Sequence, residues 1–244
     1  MITFKQFVSE SINDKGILKA IFVIGLPGAG KSYTVSKLQG TVSPRIVNTD
    51  KASEFLSIKW KKPISSENWN DYKDTATRIT KSLLTGYIDG VLPLFVDGTS
   101  NDVSNILHRI GILESIGYDV GVVFVNTSLE VAKQRATDRA AKIDRHVDMD
   151  FIEQVHLKNK ENAAYLKSKV SYFKEVDNNG DNVITDKELY AAFKTTQSFF
   201  NAPVVNPVGR RTLDKMKEQK QKYLSPNILS KDVLSNKIDG WYKT

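Results

Sequence analysis

Residues 25–32 read GLPGAGKS and fill every position of the pattern G-x-x-x-x-G-K-[ST]. The apolar run Ala20-Ile21-Phe22-Val23-Ile24 leads directly into them, and a helical pattern from Ser32 to Leu38 follows. That order of strand, glycine-rich loop and helix constrains the fold more than any other feature of the chain. Its glycines let the backbone turn so that successive N–H groups converge at a helix N-terminus, a geometry suited to phosphate. Lys31 is placed to reach the β and γ phosphates, and Ser32 to set its hydroxyl on Mg2+. The expected nucleotide-binding residues are Gly25, Leu26, Pro27, Gly28, Ala29, Gly30, Lys31, Ser32 and Tyr33, with ATP or GTP and Mg2+ as the ligands.

Further apolar runs stand at 45–47, 92–96 and 120–125, separated by helical patterns at Trp69 to Tyr87, Asp102 to Ile116 and Leu129 to Ala141. Strands alternating with helices predict an α/β fold with a parallel sheet and right-handed crossovers. Continuous rather than alternating apolar strands predict helices on both faces. Pro93 is expected to be the first residue of its strand, where a missing ladder donor does least harm. Between Phe151 and Val176 the spacing of Ile152, Val155, Leu166, Val170 and Phe173 predicts one long helix.

Ligands of such sheets bind beyond the carboxyl ends of the strands, where Gly25, Asp50, Asp97 and Asn126 emerge. Asp50 follows the second strand and is a candidate base for an acceptor hydroxyl. Asp97, ending the third strand, is suited to holding Mg2+ through water or to positioning the acceptor. Arg135 and Arg139, four residues apart on one helix face, could stabilise charge on a transferring phosphoryl group. Taken singly, Asp50 also fits a helix N-cap, Asp97 an Asp-Gly turn, and the two arginines a solvated face paired with Glu130 or Asp138.

Over residues 18–168 the chain resembles the polynucleotide-kinase and zeta-toxin group of P-loop kinases. The resemblance rests on IGLPGAGKS, on NTD before the second helix, on FVDGTS after the third strand, and on QRATDRAAKIDRHVDMDFI as a basic lid. It implies that Asp50 is the general base, that Lys31 and Ser32 handle phosphate and metal, and that Arg135 and Arg139 belong to the lid. Two positions depart from the group. Polynucleotide kinases carry Asp-x-x-Arg for the acceptor's phosphate, whereas Asp50 is followed at that spacing by Ser53, which argues against a nucleic-acid acceptor. The lid leads into Val147-Asp148 where Val-Pro is common.

A second motif stands at 177–188, DNNGDNVITDKE. Asp177, Asn179 and Asp181 fill positions 1, 3 and 5 of a calcium loop, Val183 offers a carbonyl at 7, Thr185 stands at 9 and Glu188 closes position 12. With its apolar flanks the stretch 168–197 resembles an EF-hand and implies Ca2+, although Asn182 replaces the usual glycine and no second such loop occurs. An Asn/Asp-rich surface turn between helices is the other reading of the same residues.

The chain has no cysteine, which excludes disulfides, thiolate zinc sites and cysteine nucleophiles. No apolar stretch reaches the roughly 20 residues of a membrane span, and MITFKQFVSESINDK lacks the pattern of a secretory signal, so a cytoplasmic location without membrane partners is expected. That leader is an amphipathic helical pattern and weakly resembles short leaders on proteins of large tailed phages, where host cytoplasm or virion would be the location. Of the net charge of +7, most lies in residues 201–244, which hold nine Lys or Arg against four Asp or Glu and could bind nucleic acid or form a solvated face.

The chain thus divides into a leader (1–17), a P-loop kinase core (18–168), an EF-hand-like unit (169–197) and a basic C-terminal extension (198–244). The expected function is ATP-dependent transfer of the γ-phosphoryl group to a hydroxyl of a nucleic acid 5′ end, nucleotide or other small molecule. The alternative is a catalytically silent binding or structural protein that keeps both folds.

Overall fold

A computed structural model describes residues 14–62, 64, 68–98, 101–143, 147–179 and 186–224. The elements run β1 (Lys19–Gly25), α1 (Lys31–Leu38), β2 (Arg45–Val47), α2 (Thr49–Trp60), α3 (Trp69–Asp89), β3 (Leu94–Asp97) and α4 (Val103–Ser115). They continue as β4 (Asp119–Asn126), α5 (Leu129–Ile143), α6 (Met149–Lys167), β5 (Tyr172–Asp177), α7 (Asp186–Asn201) and α8 (Pro207–Leu224). The strands form one parallel sheet in the order β2-β3-β1-β4-β5, with β1 central and paired to β3 and β4.

All seven residues of β1 are buried, as its unbroken apolar run requires, because helices cover both faces. On one face Phe22, Val96, Val122 and Phe124 pack with Ile106 and Ile110 of α4 and Leu166 of α6. On the other, Ile21, Val23, Phe95 and Val123 pack with Val35 of α1, Ala132 of α5, Ile152 of α6 and Phe200 of α7. Helices α2 and α3 keep a small core of their own, Ala52, Leu56, Tyr72 and Ala76. There the Tyr72 hydroxyl donates to the Lys62 carbonyl at 2.7 Å.

Pro93 lies just outside β3 and not within it, and its carbonyl accepts the Arg45 N–H at 2.8 Å where β2 begins. The larger difference concerns the helix expected from Phe151 to Val176. It ends at Lys167, and residues 172–177 form β5 at the sheet edge instead. The reason is two-sided packing: Tyr172 and Val176 turn to one core and Phe173 to the other, an alternation only a strand provides. Gly121 of β4 faces Tyr172, and a Cβ there would stand 2.5 Å from the ring. The residues that should enter an EF-hand as a helix are therefore an edge strand, and the helix-loop-helix reading is corrected on that side. Asp181, Asn182, Val183 and Thr185, like the leader 1–13, lie outside the described residues.

The amino end of the sheet is closed by a buried ion pair, Lys19 Nζ to Asp119 at 2.7 Å. Lys19 also donates to the Pro203 carbonyl, while Asp119 accepts the N–H groups of Val205 and Asn206 at 2.9 and 2.8 Å. These bonds fasten the approach to α8 at the end of the sheet opposite the phosphate loop. Among the described residues no helix is long and apolar enough to cross a membrane.

Candidate active site

The site forms where β1, β2 and β3 end. After Gly25 the chain turns through Gly28 and Gly30, both at φ 84°, a left-handed conformation that favours glycine. Space adds a second demand, since a Cβ at Gly28 would collide with the Ala132 carbonyl of α5, and one at Gly30 with the Asn178 amide. Leu26 and Ala29 are fully buried and pin the loop to the core, so they can offer a ligand only backbone. Gly30 stands at the N-cap of α1 without a side-chain cap, so the first-turn N–H groups are presented as an anion site. Lys31 Nζ donates to the carbonyls of Gly25 and Leu26 at 3.2 and 3.0 Å, which curls its side chain over the loop.

A cavity of 710 Å³ opens beside this loop. Pro27, Gly28, Gly30, Lys31, Ser32 and Tyr33 line one side, Asp50 and Asp97 another, and Arg135 and Arg139 a third. Residues from the β1–α1, β2–α2 and β3–α4 connections and from helix α5, chosen from the sequence alone, thus share one space. Gly25, Leu26 and Ala29 do not form part of its wall.

The opposite wall depends on Asn48, the first residue of the NTD stretch, for which the sequence alone suggested no role. Its Oδ1 accepts the N–H groups of Asp50 and Lys51 at 2.7 and 3.2 Å, capping α2, while its Nδ2 donates to Asp97 Oδ2 at 2.5 Å. Backbone N–H groups only donate and a carboxylate only accepts, so a single orientation of the amide serves both. The helix cap is therefore Asn48 and not Asp50, whose carboxylate sits in the first turn at the cavity. Asparagine followed by a helical pattern is the recognisable cap signal that could have found it. Asp97 closes β3, and the Gly98 N–H returns to the Val23 carbonyl at 3.1 Å, which fixes that carboxylate beside β1. Thr99 and Ser100 lie outside the described residues.

Ser32 and Asp97 both face the cavity. A hydroxyl and a carboxylate, with room for water, form an all-oxygen set that fits Mg2+, an ion that takes few protein ligands. Arg135 and Arg139 are half-buried on α5 and line the cavity, while Asp138 accepts from Gln134 at 2.8 Å. Val147, just before α6, and Phe151 in its first turn supply an apolar wall, and Lys51 and Glu54 of α2 a polar one; the first two fall within the expected lid stretch, whereas Lys51 and Glu54 were not expected at the site.

Of the expected calcium ligands, the structure brings together Asp177 and Asn179. Asp177 Oδ1 accepts the Asn179 backbone N–H at 3.1 Å and its side-chain amide, and the Asn179 oxygen accepts the Ser128 N–H. Glu188 stands exposed in the first turn of α7. The asparagines thus tie β5 to the β4–α5 connection, work that needs no metal.

The zeta toxin family profile matches residues 9–190, three quarters of the chain. The chain belongs to the zeta toxin family. No curated protein matches it significantly. Among solved structures, the PezAT toxin-antitoxin system of Streptococcus pneumoniae is similar at TM-score 0.55 and 16% identity, covering 91% of this chain and 96% of that one. A candidate kinase of Chloroflexus aurantiacus is similar at TM-score 0.50 and 14% identity, covering 71% of this chain and 96% of that one. At these identities the likeness is one of fold, and the parallel five-stranded sheet with its phosphate loop is that of P-loop kinases.

Proposed function

We propose that the chain is a nucleoside-triphosphate-dependent kinase that moves the γ-phosphoryl group of ATP or GTP to a hydroxyl of a small-molecule or nucleotide acceptor. One observation carries this reading: Lys31 and Ser32, Asp50 and Asp97, and Arg135 and Arg139 line a single cavity. In the proposed reaction the N–H groups of the phosphate loop and Lys31 hold the β and γ phosphates. Asp50 accepts the acceptor's hydroxyl proton as the new O–P bond forms and the bond from the γ phosphorus to the bridging oxygen breaks, leaving nucleoside diphosphate. Arg135 and Arg139 face the charge that spreads over the equatorial oxygens. Mg2+, held by Ser32 and Asp97 with waters, would neutralise the β and γ oxygens.

A compact acceptor is favoured over a nucleic acid end. At the position where polynucleotide kinases grip the acceptor's phosphate, Ser53 is buried and donates to the Thr49 carbonyl at 3.1 Å, so that position offers no cation. Calcium has no part in this proposal, because the Asn179 oxygen is engaged by Ser128 and the entering element is a strand.

Labelled ATP with Mg2+ should be offered to nucleotides, nucleotide sugars, polyols, oligonucleotide 5′ ends and proteins. Wild type is expected to label a small acceptor. Asp50→Asn should bind ATP as wild type does but transfer about 100-fold or more slowly, the scale of a lost general base. Equal transfer by the variant would remove Asp50 from the base role, and labelling of oligonucleotides alone would overturn the acceptor class.

A further inference from the structure

Asn178 is 4% exposed, although it follows directly on an edge strand. A buried asparagine is costly unless its polar atoms are matched, and here every one is. Its backbone N–H extends the β4–β5 ladder to the Asn126 carbonyl at 2.8 Å. Its side-chain Nδ2 donates to the Ala29 carbonyl inside the phosphate loop at 2.6 Å, where Thr127 Oγ1 also donates at 3.2 Å. Its two oxygens take the guanidinium of Arg135: Nη1 donates to the Asn178 carbonyl at 3.2 Å and Nη2 to Oδ1 at 3.4 Å.

The chemistry of these partners admits few side chains. A backbone carbonyl only accepts and a guanidinium only donates, so the residue between them must donate at one end of its side chain and accept at the other. An aspartate would set a carboxylate against the Ala29 carbonyl, and a leucine would leave Ala29 with only the Thr127 donor and Arg135 with only the backbone carbonyl of residue 178. The contact is also close, since a Cβ at Gly30 would collide with the Asn178 amide. A glycine required by the phosphate loop is therefore required by Asn178 as well.

We propose that Asn178 is a positioning residue that locks the phosphate loop to Arg135, so that the loop's N–H groups and the lid guanidinium address one phosphate chain in a fixed relation. This rests on the kinase reading for its catalytic consequence; its structural consequence can be read without turnover. The amide nitrogen fixes the back of the loop through Ala29, and the oxygens aim the guanidinium into the cavity from the far side. Because both attachments belong to one residue, its amide nitrogen on the loop and its carbonyl and side-chain oxygens on the guanidinium, a displacement of the loop moves the arginine. Orientation of a charged group toward the transferring phosphoryl acts mainly on the chemical step, so the loss is expected in kcat more than in KM for ATP.

Three full-length variants test this: Asn178→Ala, Asn178→Asp and Asn178→Ala combined with Arg135→Ala. Without nucleotide, hydrogen exchange of the amides of Leu26 and Gly28 to Lys31 should be roughly fivefold faster in both single Asn178 variants, since each loses the donation to Ala29. With Mg-ATP and acceptor, Asn178→Ala should lower kcat by about tenfold in the wild-type background and by less than about twofold when Arg135 is already alanine. Asn178→Asp, which keeps an oxygen toward Arg135, should retain more turnover than Asn178→Ala. Unchanged exchange in the loop would overturn the lock, as would losses that multiply in the double variant. If wild type transfers no phosphoryl group, the kinase reading fails while the exchange comparison still decides whether Asn178 holds the loop.

Discussion

Single side chains in this site work through their neighbours. Asn48 caps α2 with its oxygen and grips Asp97 with its nitrogen, so one amide sets the position of the proposed base and of the proposed metal ligand. Asn48→Ala is expected to cost about 1 kcal/mol of stability as a lost cap. Its kcat should fall further than that loss explains, because Asp97 loses its orienting donor. Asn48→Asp restores the cap but faces Asp97 with a like charge, so urea denaturation should separate it from alanine in stability while both transfer slowly. If Asn48→Asp transfers as wild type does, Asn48 is only a cap. Asn48 was legible as a helix cap but, like Asn178, not as a site residue: an asparagine's value in a site lies in which two partners it joins, and sequence does not record partners. Glycines at 28 and 30 were legible because their backbone conformation restricts the residue type wherever they occur.

At the scale of elements, β1 was readable and β5 was not. A central strand covered on both sides writes itself as an unbroken apolar run. An edge strand writes Tyr-Phe-Lys-Glu-Val, whose apolar residues continue the spacing of the helix before it. The calcium-like motif that follows has the same origin, because Asp and Asn at alternate positions serve equally as ion ligands and as the hydrogen-bonding turn that ends β5. Helix α4 yields a pH prediction. Glu114, in its last turn, has a pKa raised above its ordinary value of 4.5 by burial and secondarily by the nearby Asp119 carboxylate. A raised carboxyl pKa means the unfolded chain gives up its proton first, so this residue's contribution to stability declines as pH rises from 4.5 through the folded value. Glu114→Gln should therefore be the more stable protein at neutral pH, with the difference vanishing below pH 4.5. Thermal melts across that range check the sign; a variant that is less stable at pH 7 would contradict it.

Across the whole molecule, the two ends of the parallel sheet have separate duties. The carboxyl end carries the cavity, and the amino end carries the Lys19–Asp119 pair that holds the segment leading into α8. Asp119→Ala leaves a buried ammonium without its counter-ion and two backbone N–H groups without their acceptor, and should cost about 3–5 kcal/mol in chemical denaturation. Helix α8 presents Lys215 and Lys217 to solvent while Leu213 packs on the core, so replacing those two lysines by glutamine is expected to leave turnover unchanged. A fall in turnover would show that the basic helix reaches the site after all. The central claim is that the cavity at the carboxyl end receives a nucleoside triphosphate, and calorimetry with ATP and Mg2+ on wild type and Lys31→Ala tests it most directly. Wild type should bind one nucleotide, and Lys31→Ala should bind roughly tenfold or more weakly, having lost a charge-assisted contact to phosphate. No heat from wild type at about millimolar ATP, the weak limit of useful nucleotide affinity, would contradict the account.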